Sequence, residues 1–337
     1  MNGGFRYLSQ QNVAELGGAD TQEAFNDACD VVTLMRQGET EMPAEIHVTL
    51  QGERGKTYAL PAKVGGRFNA VGVKWTAHRP DADDGLPQSM PLTLVNRADS
   101  GLPLGLVESS ALTAARTAAV SAIALRYAAP RKVRRVLLLG AGVQAIAHLE
   151  MLGQLFPELE CVNWWHRRPQ LLINNTPTTL PWPVHEYADL PQAIALENDA
   201  ILTCTSAAEP LIDADAIRPG RIVIQVGYHE VSFAAINRCS RVVVDLWGDF
   251  CESSAKSLFQ MYRAGQFSAG RVDADLGNLL LDGWRPAADD SVYFSSFGLN
   301  VFDVALAARV LTRATERNVG TPLSLFSASH YDQDKPC

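Results

Sequence analysis

Several features are missing from the chain, and each absence excludes a class of protein. No run of about eighteen apolar residues occurs in the 337 residues, so no segment is predicted to cross a membrane as a helix. Basic residues are in the minority, with 29 Lys and Arg against 37 Asp and Glu, which argues against nucleic acid as a partner. The six cysteines show no CxxC spacing, so we expect no metal site.

The start of the chain and its composition narrow the class further. Residues 1–7 lack a basic region followed by an apolar one, so no signal peptide is visible. We therefore expect a cytoplasmic protein with free thiols, and we expect Cys161 and Cys204 to be buried in strands. Apolar residues make up 47% of the chain, which is typical of a globular protein, and the length predicts about two domains.

The hydrophobic pattern changes along the chain. A helix is predicted at residues 21–36 and another at residues 109–129. The strands predicted between them are 45–50, 57–61, 70–76, 92–96 and 104–108. The segment 77–91, rich in Asp, Pro and Gly, is predicted to be a long loop.

From residue 133 onward, buried strands alternate with helices, as in a parallel sheet covered on both faces. A last long helix is predicted at residues 301–317. We therefore predict an α/β fold in which a Rossmann dinucleotide-binding domain, residues 121–299, is inserted into a discontinuous α+β domain. Residues 1–120 and 300–337 form that second domain.

The most specific motif is a glycine-rich loop at residues 140–145, with the sequence GAGVQA. It follows a predicted buried strand and opens a predicted helix, as dinucleotide-binding loops do. Gly140 permits the tight turn, Gly142 lets the backbone approach a pyrophosphate, and Ala145 allows close packing of helix on strand. The helix start, including Val143 and Gln144, would bind the phosphates, so the motif predicts a nicotinamide cofactor.

The end of the next strand bears on which nicotinamide is bound. Enzymes that use NAD(H) carry an acidic residue there, whereas the strand 161–165 ends in His166, Arg167 and Arg168. Guanidinium groups suit a 2′-phosphate, so NADP(H) is favoured over NAD(H). Alternatively these three residues form a solvated turn, and NAD(H) remains possible.

Later strand ends supply further candidates. Thr205, Ser206 and Val226 are expected near the cofactor because ligands bind at the carboxyl edge of a parallel sheet. Glu230 and His229 follow the same strand as Val226 and are rival candidates for proton transfer, with Glu230 ranked slightly ahead.

Two basic residues stand in apolar surroundings. Lys74 lies on a predicted strand, where a buried charge needs an anionic partner or a lowered pKa. Arg116 lies on the predicted helix 109–129 and can clamp a carboxylate with two hydrogen bonds. Alternatively Lys74 reaches solvent along the sheet and Arg116 forms a surface ion pair. An amino-acid substrate fits the first interpretation, with Lys74 binding its carboxylate or acting as an acid or base.

The motifs, in the order in which they occur along the chain, resemble those of the ornithine cyclodeaminase/μ-crystallin family over nearly the whole sequence. Within the family, the chain looks most like the N-(2-amino-2-carboxyethyl)-L-glutamate dehydrogenases of siderophore biosynthesis. The similar stretches are residues 7–9, 17–18, 60–61, 71–75, 115–119, 140–145, 242–245, 298–303 and 320–325.

The resemblance implies an oxidoreductase that acts on a C–N bond of an amino acid. The dehydrogenases named above oxidise a secondary amine, and the imine is hydrolysed to L-2,3-diaminopropionate and 2-oxoglutarate. By resemblance, Lys74 and Arg116 contact the substrate carboxylate, Thr117 approaches the cofactor phosphates, and Gly298 and Asp303 lie against the cofactor. The resemblance also implies a homodimer formed through the sheet of the discontinuous, substrate-binding domain.

The chain departs from the cyclodeaminase pattern at three positions. His229 stands where those enzymes carry a catalytic acid, and Tyr58 stands where they carry a glutamate, which argues against ornithine cyclisation. Glu45 stands where a basic residue is expected. Two alternatives therefore remain beside the dehydrogenase: an NADPH-dependent reductase of ketimines or cyclic imines, and a nicotinamide-binding protein without turnover.

Overall fold

The computed structural model describes residues 4–50, 55–79, 85–167 and 179–325. The strands are β1 Phe5–Leu8, β2 Thr40–Glu41, β3 Ile46–Thr49, β4 Lys56–Val64, β5 Ala70–His78, β6 Ser89–Arg97, β7 Pro103–Glu108, β8 Arg135–Leu139, β9 Cys161–Trp165, β10 Val184–Tyr187, β11 Ala200–Thr203, β12 Ile222–Gln225, β13 Arg241–Val244, β14 Val292–Ser295 and β15 Thr321–Leu323. The helices are α1 Gln10–Glu15, α2 Thr21–Arg36, α3 Ser110–Tyr127, α4 Val143–Leu155, α5 Leu190–Ala195, α6 Phe233–Arg238, α7 Ser257–Arg263, α8 Leu276–Leu280 and α9 Asn300–Arg317. In the described part of the chain, no helix is both long and apolar enough to span a membrane.

The chain divides into two compact units. The first comprises Met1–Ala19, Gly38–Thr113 and Asn300–Cys337, and the second comprises Asp20–Gln37 and Ala114–Leu299. Both units use discontinuous segments, and helix α2 is grouped with the second unit although it lies early in the sequence. The exact domain boundaries at residues 120 and 299 stay a prediction.

The first unit contains a mainly antiparallel sheet in the order β15-β1-β7-β6-β5-β4-β2, with β3 also paired to β4. Strands β1 and β7 are its parallel pair. Side chains alternate between the two faces of a strand. Lys74 and Thr76 on β5 are buried on the face that packs against α9, whereas Trp75 points to the opposite face and is 47% exposed.

The second unit contains a parallel sheet in the order β10-β9-β8-β11-β12-β14-β13. The chain runs outward from β8 through β9 to β10 and then returns to β11, beside β8. This reversal of strand order is the topological switch point at which Rossmann-type sheets bind dinucleotides. The order confirms the predicted Rossmann-type unit.

A buried histidine connects two helices of the second unit. The Nδ1 atom of His148 on α4 lies 2.7 Å from the carbonyl oxygen of Gln144, and its Nε2 atom lies 2.8 Å from the hydroxyl of Ser121 on α3. Burial lowers the pKa of His148 to about 4, so the imidazole is neutral at pH 7. This contact holds the first turn of α4 against α3, the helix that carries Arg116.

The predicted long loop at residues 77–91 is wrong in extent. Strand β5 continues to His78 and β6 already begins at Ser89, and these two residues are partners in the antiparallel register. The backbone N–H of Arg79 also donates to the carbonyl oxygen of Gln88, at 2.8 Å. The Asp, Pro and Gly residues between the strands hid their ends, because such residues are typical of turns.

Candidate active site

The glycine-rich loop occupies the switch point between β8 and β11. Gly140 has a φ angle of +116°, a backbone conformation that favours glycine. A Cβ atom added there would lie 2.2 Å from the carbonyl oxygen of Cys204, at the end of β11. Only glycine therefore allows the two strand-end loops to pass this closely.

The start of helix α4 fits the diphosphate of a dinucleotide. A Cβ atom added at Gly142 would meet no atom within 4 Å, so the backbone there is open to a ligand. Gly142 is the N-cap of α4 and supplies no side-chain hydrogen bond to it, and Val143 in the first turn is 70% exposed. Ala145 is fully buried against the sheet, as predicted for close helix packing. The exposed N–H groups of this turn are suited to bind phosphate oxygens.

A carboxylate from the neighbouring strand lies next to the end of β9, and the sequence pattern did not indicate it. His166 is buried, and its Nε2 atom lies 3.2 Å from the carboxylate of Glu186 on the neighbouring strand β10. Arg167 is exposed, and Arg168 lies outside the described residues. The strand end itself carries no acidic residue, but Glu186 from the neighbouring strand supplies a carboxylate there.

Glu230 is fully buried and braces two strand-end loops against each other. Its carboxylate accepts hydrogen bonds from the backbone N–H of Thr205, at 3.1 Å, and from the Thr205 hydroxyl, at 3.3 Å. A Cβ atom at Gly227 would lie 2.0 Å from the same carboxylate. Burial raises the pKa of Glu230, and the charge of Lys256 and these hydrogen bonds lower it. The enclosure of Glu230 favours its neighbour His229, which is half-exposed, as the residue that meets a substrate.

Lys256 was not found by sequence reasoning. It precedes α7, is buried, and donates from Nζ to the carbonyl oxygens of Val226 at 2.5 Å and Gly227 at 2.7 Å. Burial lowers its pKa to about 8, although the carboxylates of Glu230 and Asp245 raise it. Its sequence signal was a single charged residue directly before the apolar residues of α7.

Two segments that are far apart in sequence meet at Gly298. The carboxylate of Asp245, which follows β13, accepts a hydrogen bond from the backbone N–H of Gly298 at 2.7 Å. Gly298 has a φ angle of +97°, and a Cβ atom there would lie 2.9 Å from the guanidinium of Arg116. Arg116 and the adjacent Thr117 are both buried on α3. The interpretation of Arg116 as a surface ion pair is therefore wrong.

Lys74 has the anionic partner that its buried position requires. In the first unit, its Nζ atom lies 2.8 Å from the carboxylate of Asp303 on α9. The other oxygen of Asp303 accepts a hydrogen bond from the hydroxyl of Thr113 at 2.9 Å. The resemblance implies that Asp303 lies against the cofactor, which stays a prediction, and the structure shows that Asp303 pairs with Lys74. Lys74 does not reach solvent, since its side chain is 6% exposed.

Aromatic side chains line the same face of the first-unit sheet. The ring centroids of His47 and Tyr58 are 5.6 Å apart, and those of Tyr58 and His78 are 5.5 Å apart. Burial lowers the pKa of His78, and the charge of Lys74 lowers it further. Burial raises the pKa of Glu45, against the opposing effect of Lys74. Tyr58 and Glu45, two of the three positions at which the chain departs from the cyclodeaminases, therefore lie close to each other in the first unit.

The remaining predicted residues lie at the expected sheet edge. Ser206 is exposed directly after Thr205, and Val226 directly follows β12 with its carbonyl oxygen bound by Lys256. Gln144 is half-buried in the first turn of α4. Within the residues that the structure describes, no group of His, Cys, Asp or Glu side chains could hold a metal ion.

Taken together, the switch-point loop and the buried charges define a nicotinamide-dependent oxidoreductase. The sequence model of the ornithine cyclodeaminase/mu-crystallin family matches residues 10–318, and the chain belongs to that family. It is 22% identical to N-((2S)-2-amino-2-carboxyethyl)-L-glutamate dehydrogenase of Staphylococcus aureus, over 97% of this chain and 100% of the relative.

Solved structures show the same fold. The Δ1-pyrroline-2-carboxylate reductase of Thermococcus litoralis, in complex with NADH and L-proline, superimposes with a TM-score of 0.85 at 22% identity, covering 95% of this chain and 100% of that one. An archaeal alanine dehydrogenase dimer with bound NAD has a TM-score of 0.80 at 23% identity, covering 96% and 99%. These likenesses confirm the predicted fold, and the family confirms the predicted class of enzyme.

The Lys74–Asp303 pair leads to a stability prediction. Lys74→Met should lower the free energy of unfolding by about 3–5 kcal/mol, because it leaves the Asp303 carboxylate buried without its cation. Adding Asp303→Asn should restore a large part of that loss. Denaturant titration followed by circular dichroism measures both effects.

The exposed pair Lys63–Glu41 supplies the matched control. Its charged atoms are 2.7 Å apart, but the side chains are 44% and 69% exposed. Lys63→Met should therefore change the stability by less than about 1 kcal/mol. If Lys74→Met lowers the free energy of unfolding as little as Lys63→Met does, the Lys74–Asp303 pair does not stabilise the fold as predicted.

Proposed function

We propose that the protein is a dehydrogenase that oxidises a C–N bond of an amino acid, with N-(2-amino-2-carboxyethyl)-L-glutamate as its substrate. The observation that carries the proposal is the burial of Arg116 beside Gly298, in the same unit as the dinucleotide loop. A guanidinium placed there is suited to bind a substrate carboxylate. The resemblance to the Staphylococcus aureus dehydrogenase supports this choice of substrate.

The proposed substrate carries three carboxylates, and a guanidinium can bind one of them. Arg116 would bind one of them with two parallel hydrogen bonds, which fixes the reacting carbon by orientation. Separately, we propose Lys74, oriented by Asp303 in the first unit, as a substrate-binding residue.

The overall reaction balances as an oxidation followed by a hydrolysis. A bound nicotinamide would accept a hydride from the carbon that bears the secondary amine. The amine proton is released, a C=N bond forms, and water then adds to its carbon. Cleavage of the C–N bond yields L-2,3-diaminopropionate and 2-oxoglutarate.

We propose that a residue of the loop after β12 carries out the proton transfer. His229 is half-exposed there, and an imidazole can take up or release a proton near neutral pH. We assign the amine proton to His229, and we assign Glu230 the bracing of the loop through Thr205. This assignment reverses the order in which the sequence ranked the two residues.

A second candidate is the NADPH-dependent reduction of ketimines or cyclic imines. The exposed guanidinium of Arg167 next to His166 favours it, since a 2′-phosphate would bind there. The same observation supports NADP(H) as the cofactor, whereas Glu186 would suit the ribose hydroxyls of NAD(H). We propose NADP(H) and treat NAD(H) as the alternative. The cytoplasmic location stays a prediction.

We also propose a homodimer formed through the outer face of the first-unit sheet. The exposed apolar side chains on this face include Ile46 and Val48 on β3, Trp75 on β5 and Leu94 on β6. Several exposed apolar side chains on one face of a sheet are typical of a protein interface. The archaeal alanine dehydrogenase of the same fold is a dimer, which makes a second copy the proposed occupant.

The function is tested by an activity assay. Purified protein with N-(2-amino-2-carboxyethyl)-L-glutamate and NADP⁺ or NAD⁺ should form reduced cofactor, 2,3-diaminopropionate and 2-oxoglutarate in equal amounts. Arg116→Lys should lower kcat/KM roughly 100-fold, because an ammonium cannot reproduce the two-point contact. Absorbance of the reduced nicotinamide and mass spectrometry of the products measure both.

Arg126→Lys is the matched control, since Arg126 lies on the same helix but stacks over the ring of Phe25. It should leave kcat/KM nearly unchanged. Oxidation of NADPH by cyclic imines, without turnover of the diamino acid, would replace the proposal with the reductase. No change in either direction despite cofactor binding would exclude both enzymes.

Cofactor choice is tested by two substitutions at the end of β9. Arg167→Glu should weaken NADPH binding by about tenfold or more and leave NADH binding nearly unchanged, because it reverses the charge offered to the 2′-phosphate. Glu186→Gln should weaken NADH binding more than NADPH binding if the site is built for NAD(H). Fluorescence titration gives the dissociation constants. Unchanged NADPH affinity in Arg167→Glu would contradict the preference for NADP(H).

The proposed dimer is tested by introducing a charge at the centre of its interface. Trp75→Glu should convert dimers to monomers in analytical ultracentrifugation, because a carboxylate would be buried at the interface. Leu281→Glu is the control, as Leu281 is 44% exposed in the second unit. A Trp75→Glu protein that sediments as the unaltered protein does would contradict this interface.

A further inference from the structure

The loop at residues 226–230 is held by hydrogen bonds to its backbone rather than by packing alone. The Lys256 ammonium binds the first two carbonyl oxygens, those of Val226 and Gly227. The third, that of Tyr228, accepts hydrogen bonds from the backbone N–H of Ser257 at 2.9 Å and from Nε2 of Gln225 at 2.9 Å. Three successive carbonyl groups are thus turned toward the start of α7.

The other end of the loop is fixed by Glu230. Its carboxylate is bound by Thr205, and its carbonyl oxygen accepts from the N–H groups of Leu211 and Ile212, both at 2.8 Å. His229 therefore lies between two anchored ends. Its Nδ1 atom lies 3.4 Å from the side-chain amide of Gln260 on α7. The backbone on both sides of His229 is thus anchored, and Gln260 also contacts the imidazole.

Lys256 is the cation in a group of buried acidic residues. Glu230 and Asp245 contribute negative charge near its ammonium, and the Cys204 thiol also interacts with it. Arg116 adds a like charge from α3, and the ring of Tyr228 lies 5.4 Å from Nζ. A buried carboxylate is stable only if a cation or hydrogen bonds compensate it. Lys256 supplies that compensation while it binds the loop.

We propose that Lys256 is a positioning residue for proton transfer, since its ammonium binds the Val226 and Gly227 carbonyl oxygens and thereby holds the loop that presents His229. The proposal rests on the proposed function, in which His229 takes the amine proton. It adds that the charge of residue 256, as well as its length, maintains the geometry of the loop. Lys256 itself touches neither substrate nor cofactor in this account.

Substitution of Lys256 separates charge from packing. Lys256→Met removes both donors and should lower kcat about tenfold with little change in KM, since the loop orients proton transfer rather than substrate binding. Lys256→Arg retains donors and charge and should recover most of the kcat. Lys132→Met, at an exposed lysine of the same unit, is the control and should leave kcat and KM unchanged. A kcat of Lys256→Met equal to that of the unaltered protein would overturn the proposal.

The pH profile tests the charge directly. Because burial lowers the pKa of Lys256 to about 8, its charge is present below that pH and is lost as the pH rises through it. The unaltered enzyme should lose kcat above about pH 8, and Lys256→Arg should move this alkaline limb to higher pH. An alkaline limb at the same pH in both proteins would contradict a role of the charge.

Hydrogen–deuterium exchange tests the loop without any substrate. Amides of residues 226–230 should exchange faster in Lys256→Met than in the unaltered protein, and Lys256→Arg should be close to the latter. In the unaltered protein, protection of these amides, corrected for intrinsic exchange, should fall between pH 7 and 9. This last measurement applies even if Lys256→Met does not fold. Faster exchange in an inactive protein would support the positioning role and count only against the proposed substrate, whereas unchanged exchange would overturn the proposal.

Discussion

The close approach of two strand-end loops at the switch point is the constraint on which the rest of the site depends. The backbone of Gly140 passes the carbonyl oxygen of Cys204 at a distance that no side chain would permit. This approach places Gly140, just before the proposed phosphate-binding turn of α4, beside Thr205. Thr205 in turn binds Glu230, which fixes the loop after β12. One glycine thus connects the cofactor loop to the candidate proton-transfer loop within the second unit.

Two buried lysines, one in each unit, have compensating acidic groups in their own unit. In the first unit, Lys74 pairs with Asp303, which also accepts a hydrogen bond from Thr113. In the second unit, Lys256 lies among acidic groups that include Glu230. Charges of this kind are costly in a protein interior and are kept where orientation matters. Arg116, buried beside the Gly298 backbone, is the cation that we propose for a substrate carboxylate.

Sequence reasoning predicted the local features well and the pairings poorly. The glycine loop was predictable because strand, turn and helix are contiguous there, and Lys74 because a charge in an apolar strand requires a partner. That partner, Asp303, lies 229 residues away on α9, and no periodicity could indicate it. Glu186 was missed near His166 for the same reason, and Lys256 was missed because it belongs to no motif.

The most direct test of the account follows the hydrogen that leaves the substrate. N-(2-amino-2-carboxyethyl)-L-glutamate carrying deuterium at C2 of its glutamate moiety would be converted with NADP⁺ or NAD⁺, and the reduced cofactor analysed by mass spectrometry. Hydride transfer from the carbon that bears the secondary amine predicts one deuterium in each reduced nicotinamide and none in diaminopropionate. Deuterium found in solvent, or retained in 2-oxoglutarate, would contradict oxidation at that carbon.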